Sequence, residues 1–600
     1  MEPTEQEKDP RTNIGVFEEN LTRIEQLLRR LVAVMAQHKP LDLGLQAPSH
    51  EIFTRATMAY WAEMVNNPAQ FLHHQLAFWA QSAQQLAQAQ QLLSQGIAPP
   101  PEEEETPTDR RFSNPLWRSH PYFNYLRRQY LLNAEALTTA VQGLEGLGAR
   151  EQQRIEYFTD QIIAMMSPTN FIGTNPDVIE KALKTEGLSL VQGLENLIAD
   201  LEANDGELVV RLADESAFEI GGNVATTAGK VMFRNRLMEL IQYTPTTETV
   251  YGAPLVIFPP WINKYYILDL KQSNSMVKWL VDQGFTVFMV SWVNPDRSYA
   301  DVGMAEYIEE GFLQAIAQVR ALCGQSRVNV AGYCIGGTTL HLALALLNKR
   351  GDDWVRSASF LTTLTDFSSQ GQFTPFLQED FLDAIDREVE QQGLLRAFIM
   401  QRTFSFLRSN DLIYDPAIRS YMMGEPPPAF DLLFWNGDGA GLPGRMVHEY
   451  LRLLCQQNLF VSEGVAFCGE HLHIRQITLP VFAIACETDH IACWQDCYRG
   501  FQQLRSRSKT FVLSQSGHIA GIVNPPTRDK YGHYVNARLK EPADAWRKSA
   551  RFGKGSWWPL WKQWLAKRSG RQVPARFAGD SGPPVIEDAP GAYVKMRATR

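Results

Sequence analysis

Six hundred residues are too many for one compact core, so two to four domains, or one large domain with additions, are expected. Hydrophobic content of 44% and charged content of 20% describe an ordinary globular chain. A net charge of −9 argues against nucleic acid as the main partner, because phosphate binding needs a basic surface, but leaves room for an anionic ligand at a local basic patch.

The first ten residues carry charges and no apolar core, so no secretory signal is expected. No apolar stretch is long enough for a transmembrane segment, and runs such as 285–293 read as buried strands. Seven cysteines (Cys323, Cys334, Cys455, Cys468, Cys486, Cys493, Cys497) are sparse and odd in number, which suits free thiols in a reducing cytoplasm. Cys493-x-x-x-Cys497 near His490 lacks a second ligand pair at zinc spacing, so no metal is expected.

In chain order, residues 1–96 read as a helical N-terminal arm. Apolar residues recur at helical spacing from Phe17 to His38, and Leu72, Leu76, Trp79, Ala83, Leu86 and Leu93 mark one face of a second helix. Such an arm either meets a partner or apolar surface, or folds back on its own domain. Residues 97–111, with three consecutive prolines and four consecutive glutamates, read as an extended linker. Residues 112–205 form a helical N-terminal domain divided at Ser167-Pro168 and Asn175-Pro176, and its aromatic residues Trp117, Tyr122, Phe123, Tyr125 and Tyr130 read as packing.

From residue 206 to 600 the texture is that of an α/β domain. Val231 to Tyr243, Leu255 to Phe258, Thr286 to Ser291, Val328 to Ala331, Ala358 to Leu364, Val481 to Ala485 and Thr510 to Leu513 are short apolar runs, several separated by helix-length segments. Buried strands alternating with helices predict a mostly parallel sheet covered on both faces. A Phe-rich insertion over about 368–476 would sit as a cap above the carboxyl ends of the strands.

The organising motif is Gly332-Tyr333-Cys334-Ile335-Gly336, between a β-branched run and a stretch of good helix formers. This is the pattern of a nucleophile elbow with cysteine in the place of serine. At the helix N-terminus the Ile335 amide would face an oxyanion, and the helix dipole favours both oxyanion and thiolate. The second oxyanion donor is expected after the strand Leu255 to Phe258, in the loop Pro259 to Lys264, at the amide of Ile262. In this architecture the order is nucleophile, acid, histidine, and Asp489 and His518 complete it, each following a strand. Asp366 and Glu487 remain rival acids and His490 a rival base, though His490 adjoins the acid it would need. Cysteine suits transfer: thiolate attack on a thioester keeps the acyl group activated, which an acyl-serine ester would not.

With these residues identified, the chain resembles the class I poly(3-hydroxyalkanoate) synthases, which have the α/β-hydrolase fold. The resemblance rests on N-P-L-W at Asn114, F-E-I-G-G-N-V-A-T-T-A-G from Phe218, L-I-Q-Y-T-P from Leu240, P-P-W-I-N-K-Y-Y-I-L-D-L from Pro259, V-F-M-V-S-W-V-N-P-D from Val287, G-Y-C-I-G-G-T from Gly332 and G-S-W-W-P-L-W from Gly555. It covers roughly residues 112 to 597 and leaves the arm outside.

The resemblance implies a triad of Cys334, Asp489 and His518 that polymerises (R)-3-hydroxyacyl-CoA into a polyester and releases CoA, with no resident cofactor. It also implies a homodimer on polymer granules in the cytoplasm, with granule-associated proteins as partners. Two motifs depart from the family: Cys493 replaces a proline in Asp489 to Trp494, and Ala440-Gly441 replaces Thr-Asn within Trp435 to Pro443. The competing readings are a cysteine thioesterase of the same fold and a non-catalytic granule-coating protein.

Overall fold

The computed structural model describes residues 10–37, 68–100, 109–144, 146–204, 206–369, 371–528, 530–580 and 582–598. The chain forms two units: Met1–Leu212 with Ser405–Pro428, and Ala213–Phe404 with Ala429–Arg600. Residues 101–108 of the expected linker lie outside the described residues.

The first unit is helical: α1 (Pro10–Gln37), α2 (Pro68–Gln95), α3 (Pro121–Gln142), α4 (Ala149–Met165), α5 (Pro176–Lys184) and α6 (Leu188–Ala203). The arm folds back on this unit. Arg30 of α1 makes a forked pair with Glu202 of α6 at 2.8 and 2.7 Å, Arg23 pairs with Glu195, and Asn20 donates to the Glu186 carbonyl at 2.9 Å. Helix α2 meets α3 through Gln129 and Ser82. The aromatic residues Phe112, Trp117, Phe123 and Tyr130 form a small core, as the reading of packing requires.

The segment Ser405–Pro428 lies inside the expected cap insertion yet groups with these helices. Its Tyr421 hydroxyl donates to Asp200 at 2.8 Å, and Lys181 pairs with Glu425 at 2.7 Å. Gly193 permits this approach, because a Cβ there would stand 2.1 Å from the Tyr421 carbonyl oxygen.

The second unit is built on eleven strands: β1 (Gly229–Arg234), β2 (Met238–Tyr243), β3 (Leu255–Phe258), β4 (Val287–Trp292), β5 (Val328–Tyr333), β6 (Val355–Leu361), β7 (Val481–Cys486), β8 (Lys509–Ser514), β9 (His533–Val535), β10 (Arg551–Gly553) and β11 (Glu587–Asp588). Their order across the sheet is β10-β9-β8-β7-β6-β5-β3-β4-β2-β1-β11. The six strands from β8 to β4 run parallel, and antiparallel strands extend both sides. Every residue of β3, β4, β5 and β7 is buried, which explains their largely apolar runs.

The run Val231 to Tyr243, expected as one strand, is a hairpin. The Asn235 side-chain carbonyl accepts from the amides of Leu237 and Met238 at 2.9 Å each and turns the chain between β1 and β2.

Helices α7 (Met276–Asp282), α8 (Gln314–Cys323), α9 (Ile335–Arg350), α11 (Trp494–Gln503) and α12 (Trp558–Ala566) belong to this unit, as does α10 (Glu379–Gln392) from the inserted segment. Among the described residues no helix is long and apolar enough to cross a membrane.

Candidate active site

Cys334 stands between β5 and α9 with φ +52° and ψ −126°, a conformation costly to a residue with a Cβ and characteristic of strained functional turns. Three glycines make the bend possible. A Cβ at Gly332 would meet the Gly337 Cα at 2.5 Å, one at Gly337 the Thr363 hydroxyl at 2.1 Å, and one at Gly336 the Pro259 carbonyl at 2.4 Å. The last contact sets the N-terminus of α9 directly against the loop after β3. Ile335, the first residue of α9, has an amide without a partner in its own helix. Strands β3 and β5 are parallel neighbours with Phe258 opposite Gly332, so Ile335 and the Ile262 loop leave the same end of the sheet side by side.

His518 follows β8 and Asp489 follows β7, an adjacent parallel strand. The His518 Nδ1 lies 2.7 Å from the Asp489 Oδ2, and both side chains are buried. The other Asp489 oxygen accepts from the amides of Ile491 and Ala492 at 2.8 Å each, so the carboxylate is held on both sides. The imidazole also hydrogen-bonds the Cys334 side chain. Burial works against the imidazolium, yet the Asp489 charge, the sulfur and the hydrogen bonds to both carry its pKa up to about 10. Cys334, His518 and Asp489 therefore form one hydrogen-bonded run.

The surroundings hold the ring in place. Tyr333 stacks on His518 with ring centroids 5.6 Å apart and its hydroxyl directed at the His518 carbonyl, 3.4 Å away. Downstream of His518, the indole N–H groups of Trp557 and Trp558 donate to the carbonyls of Gly521 and Ile522 at 3.0 and 2.9 Å. Trp561 reaches Ser359 of β6, so helix α12 ties the histidine loop to the sheet.

The rival residues are engaged elsewhere. Asp366 accepts from Asn458, Ser368 and Gln503, and Glu487 pairs with Arg547 at 2.7 Å. His490 adjoins Asp489 in the chain, but both carboxylate oxygens already face other partners. The Cys493 thiol donates to Gln495 and the Cys497 thiol to the Ala492 carbonyl. No group of three His, Cys, Asp or Glu that could hold a metal occurs among the described residues.

Sequence reasoning did not identify what supports the Ile262 loop. The Trp261 indole donates to Thr339 of α9 at 3.1 Å, and the Ile262 carbonyl accepts from the Ala440 amide at 3.0 Å. Trp435 donates to the Lys264 carbonyl, while the buried Lys264 ammonium donates to the Met596 carbonyl and faces Asp438. W-N-G-D-G-A-G-L-P lies within the segment expected as cap, and its residues Trp435 and Ala440 hydrogen-bond the loop expected to supply the second oxyanion donor.

Comparison with known proteins places these residues in a family. A model described as "Poly-beta-hydroxybutyrate polymerase (PhaC) N-terminus" matches residues 108–280, and one described as "alpha/beta hydrolase fold" matches residues 254–525. The poly(3-hydroxyalkanoate) polymerase of Methylorubrum extorquens is 39% identical over 87% of this chain and 85% of its own length. The poly(3-hydroxyalkanoate) polymerase subunit PhaC of Cupriavidus necator is 41% identical over 82% of this chain and 83% of its own. The corresponding subunit of Rhizobium etli is 34% identical over 98% and 93%, so similarity extends through most of the N-terminal arm, which the motif-level resemblance leaves outside. The elbow, the strand order and this similarity agree, and the chain belongs to the poly(3-hydroxyalkanoate) polymerase family with the α/β-hydrolase fold.

Proposed function

We propose that this chain polymerises (R)-3-hydroxyacyl-CoA thioesters into polyhydroxyalkanoate and releases CoA, with Cys334 as covalent nucleophile. The observation that carries the reading is the hydrogen-bonded run from Cys334 through His518 to Asp489 at a strained elbow. The Cys334 thiolate attacks the thioester carbonyl, and the oxyanion is received by the amides of Ile335 and Ile262. The C–S bond to CoA breaks, and the imidazolium of His518 gives its proton to the departing sulfur. The neutral ring then takes the proton of an incoming 3-hydroxyl, whose oxygen attacks the carbonyl of the acyl-Cys334 thioester; the ester C–O bond forms, the C–S bond to Cys334 breaks, and the thiolate is left beside the imidazolium as at the start. Asp489 acts through His518, because its side chain is fully buried and both oxygens are occupied. The reading calls for no resident cofactor.

The same proposal carries a homodimer working on polymer granules in the cytoplasm with granule-associated proteins. Leu28, Val32 and Met35 on α1 and Leu76 and Trp79 on α2 are exposed, which suits contact with an apolar polymer. The test is to incubate the full chain with hydroxyacyl-CoA thioesters of several acyl lengths and follow CoA release and product mass together. Insoluble polymer with stoichiometric CoA supports the reading; free hydroxy acid without polymer makes the chain a thioesterase. Unchanged polymer from Cys334→Ala would remove the covalent step and leave a coating protein.

A further inference from the structure

The charge of this chain is segregated. Residues 528–576 hold thirteen Lys and Arg against three Asp and Glu, in a protein of net charge −9. Part of this basic stretch is fixed beside the active-site loop. Strands β9 and β10 extend the sheet from β8 with Ser514 opposite His533 and His533 opposite Gly553. Arg528 and residues 530–532, before β9, and Lys554, leaving β10, therefore stand at the same end of the sheet as the loop Gln515 to His518.

Segment 530–532 is fastened to that loop. Gln515 donates its amide to the Gly532 carbonyl at 2.9 Å and accepts from the Gly532 amide through its side chain at 2.9 Å, while Asn524 donates to the Tyr531 carbonyl at 3.0 Å. Tyr531 hydrogen-bonds Ser516, two residues before His518, and Lys530, which together draw its phenol below the ordinary value. The Lys530 ammonium lies 5.0 Å from the Tyr531 ring centroid. Arg528 and Lys530 are exposed and Tyr531 is half-buried, so two cations and a phenol edge border the loop that carries the histidine.

We infer that Arg528, Lys530 and Tyr531 form an anion subsite that takes the phosphate groups of the CoA portion of the substrate. The inference rests on the polymerase reading for the identity of the substrate. A thioester carbonyl at Cys334 leaves the phosphates at the far end of a pantetheine arm, outside the buried triad and at a solvent-facing rim. Basic side chains at such a rim attract the anion over distance and release it readily once the sulfur has left, which suits a product expelled in each cycle.

The test compares 3-hydroxybutyryl-CoA with 3-hydroxybutyryl-pantetheine, which has the same acyl group and arm but no phosphates. In Arg528→Glu/Lys530→Glu, KM for the CoA thioester is expected to rise about tenfold or more while KM for the pantetheine thioester stays put. In the wild type, added salt should raise the first KM and leave the second. Lys530→Gln, a milder change of one exposed side chain, should give an intermediate shift, and Lys349→Gln at the far end of α9 none. Equal KM changes for the two thioesters, or none, would overturn the subsite and leave the polymerase reading standing. If the wild type released thiol from neither thioester, that reading would fail, and titration with free CoA against pantetheine would still decide. CoA binding about tenfold weaker in the double variant supports the subsite, and equal binding overturns it.

Discussion

The indole N–H of Trp435 donates to the backbone carbonyl of Lys264 at 2.7 Å, joining a residue of the inserted segment to the loop expected to complete the oxyanion hole. The Ala440 amide makes a parallel contact to the Ile262 carbonyl. An oxyanion donor acts by being in place before charge develops, so what fixes the loop governs the rate more than substrate affinity. Trp435→Phe keeps the apolar ring and removes the donor; kcat for CoA release should fall about tenfold with KM little changed, as steady-state kinetics would read. A rise in KM at constant kcat would instead assign Trp435 to substrate binding.

The His518–Asp489 pair sets a pH dependence. The folded pKa of His518, about 10, lies above its ordinary 6.5. Its stabilisation is therefore fully present below pH 6.5 and lost as pH rises through 10. Asp489→Asn removes the charge partner, and denaturant unfolding should find the variant less stable by roughly 2 kcal/mol at pH 6. The gap should close between pH 7 and 10. A gap that is constant with pH would mean the pair is not ionised in the folded protein.

Asp269 has the opposite chemistry with the same sign. Burial raises its carboxyl pKa from 3.8 to about 6, against hydrogen bonds from Ser275 and Thr227. Its contribution is greatest below pH 3.8, where the acid is protonated in both states, and falls as pH rises through 6. Asp269→Asn should remove that slope, so the difference in unfolding free energy between wild type and variant changes between pH 4 and 6.5 and is level above. A flat difference across the whole window would refute the raised pKa.

Arg452 holds helix α10 through Asp383 at 2.6 Å and Asp386 at 2.7 Å, with Glu379 alongside, and is itself largely buried. Arg452→Met removes the cation shared by three carboxylates, and because Glu379 and Asp383 are exposed to solvent the cost is roughly 1 kcal/mol. Hydrogen exchange should quicken in Glu379–Gln392 and Glu449–Gln456 while the central strands keep their protection. Uniform quickening across the sheet would show that the ion cluster supports the whole unit instead of the inserted segment.

The sequence by itself determined the elbow, the parallel sheet and the order Cys334, Asp489, His518, because each is encoded locally. A strand ending in Gly-x-Cys-x-Gly has few conformations open to it, and loops at the carboxyl ends of neighbouring parallel strands must converge. The sequence left Asp366 and Glu487 as rivals to Asp489, and only the tertiary structure shows what occupies them: Asn458, Ser368 and Gln503 on Asp366, and Arg547 on Glu487.

The tertiary structure also decided how Val231 to Tyr243 folds into a hairpin, and it took Ser405–Pro428 out of the expected cap to pack on α6. The arm's return onto its own helices, and the buttressing of Ile262 by residues near Trp435, were settled in the same way. Periodicity reports which face of an element is apolar, and partners more than a hundred residues away share no local signal with it. Their pairing follows from which buried polar groups and gaps between side chains each can satisfy once the chain is compact.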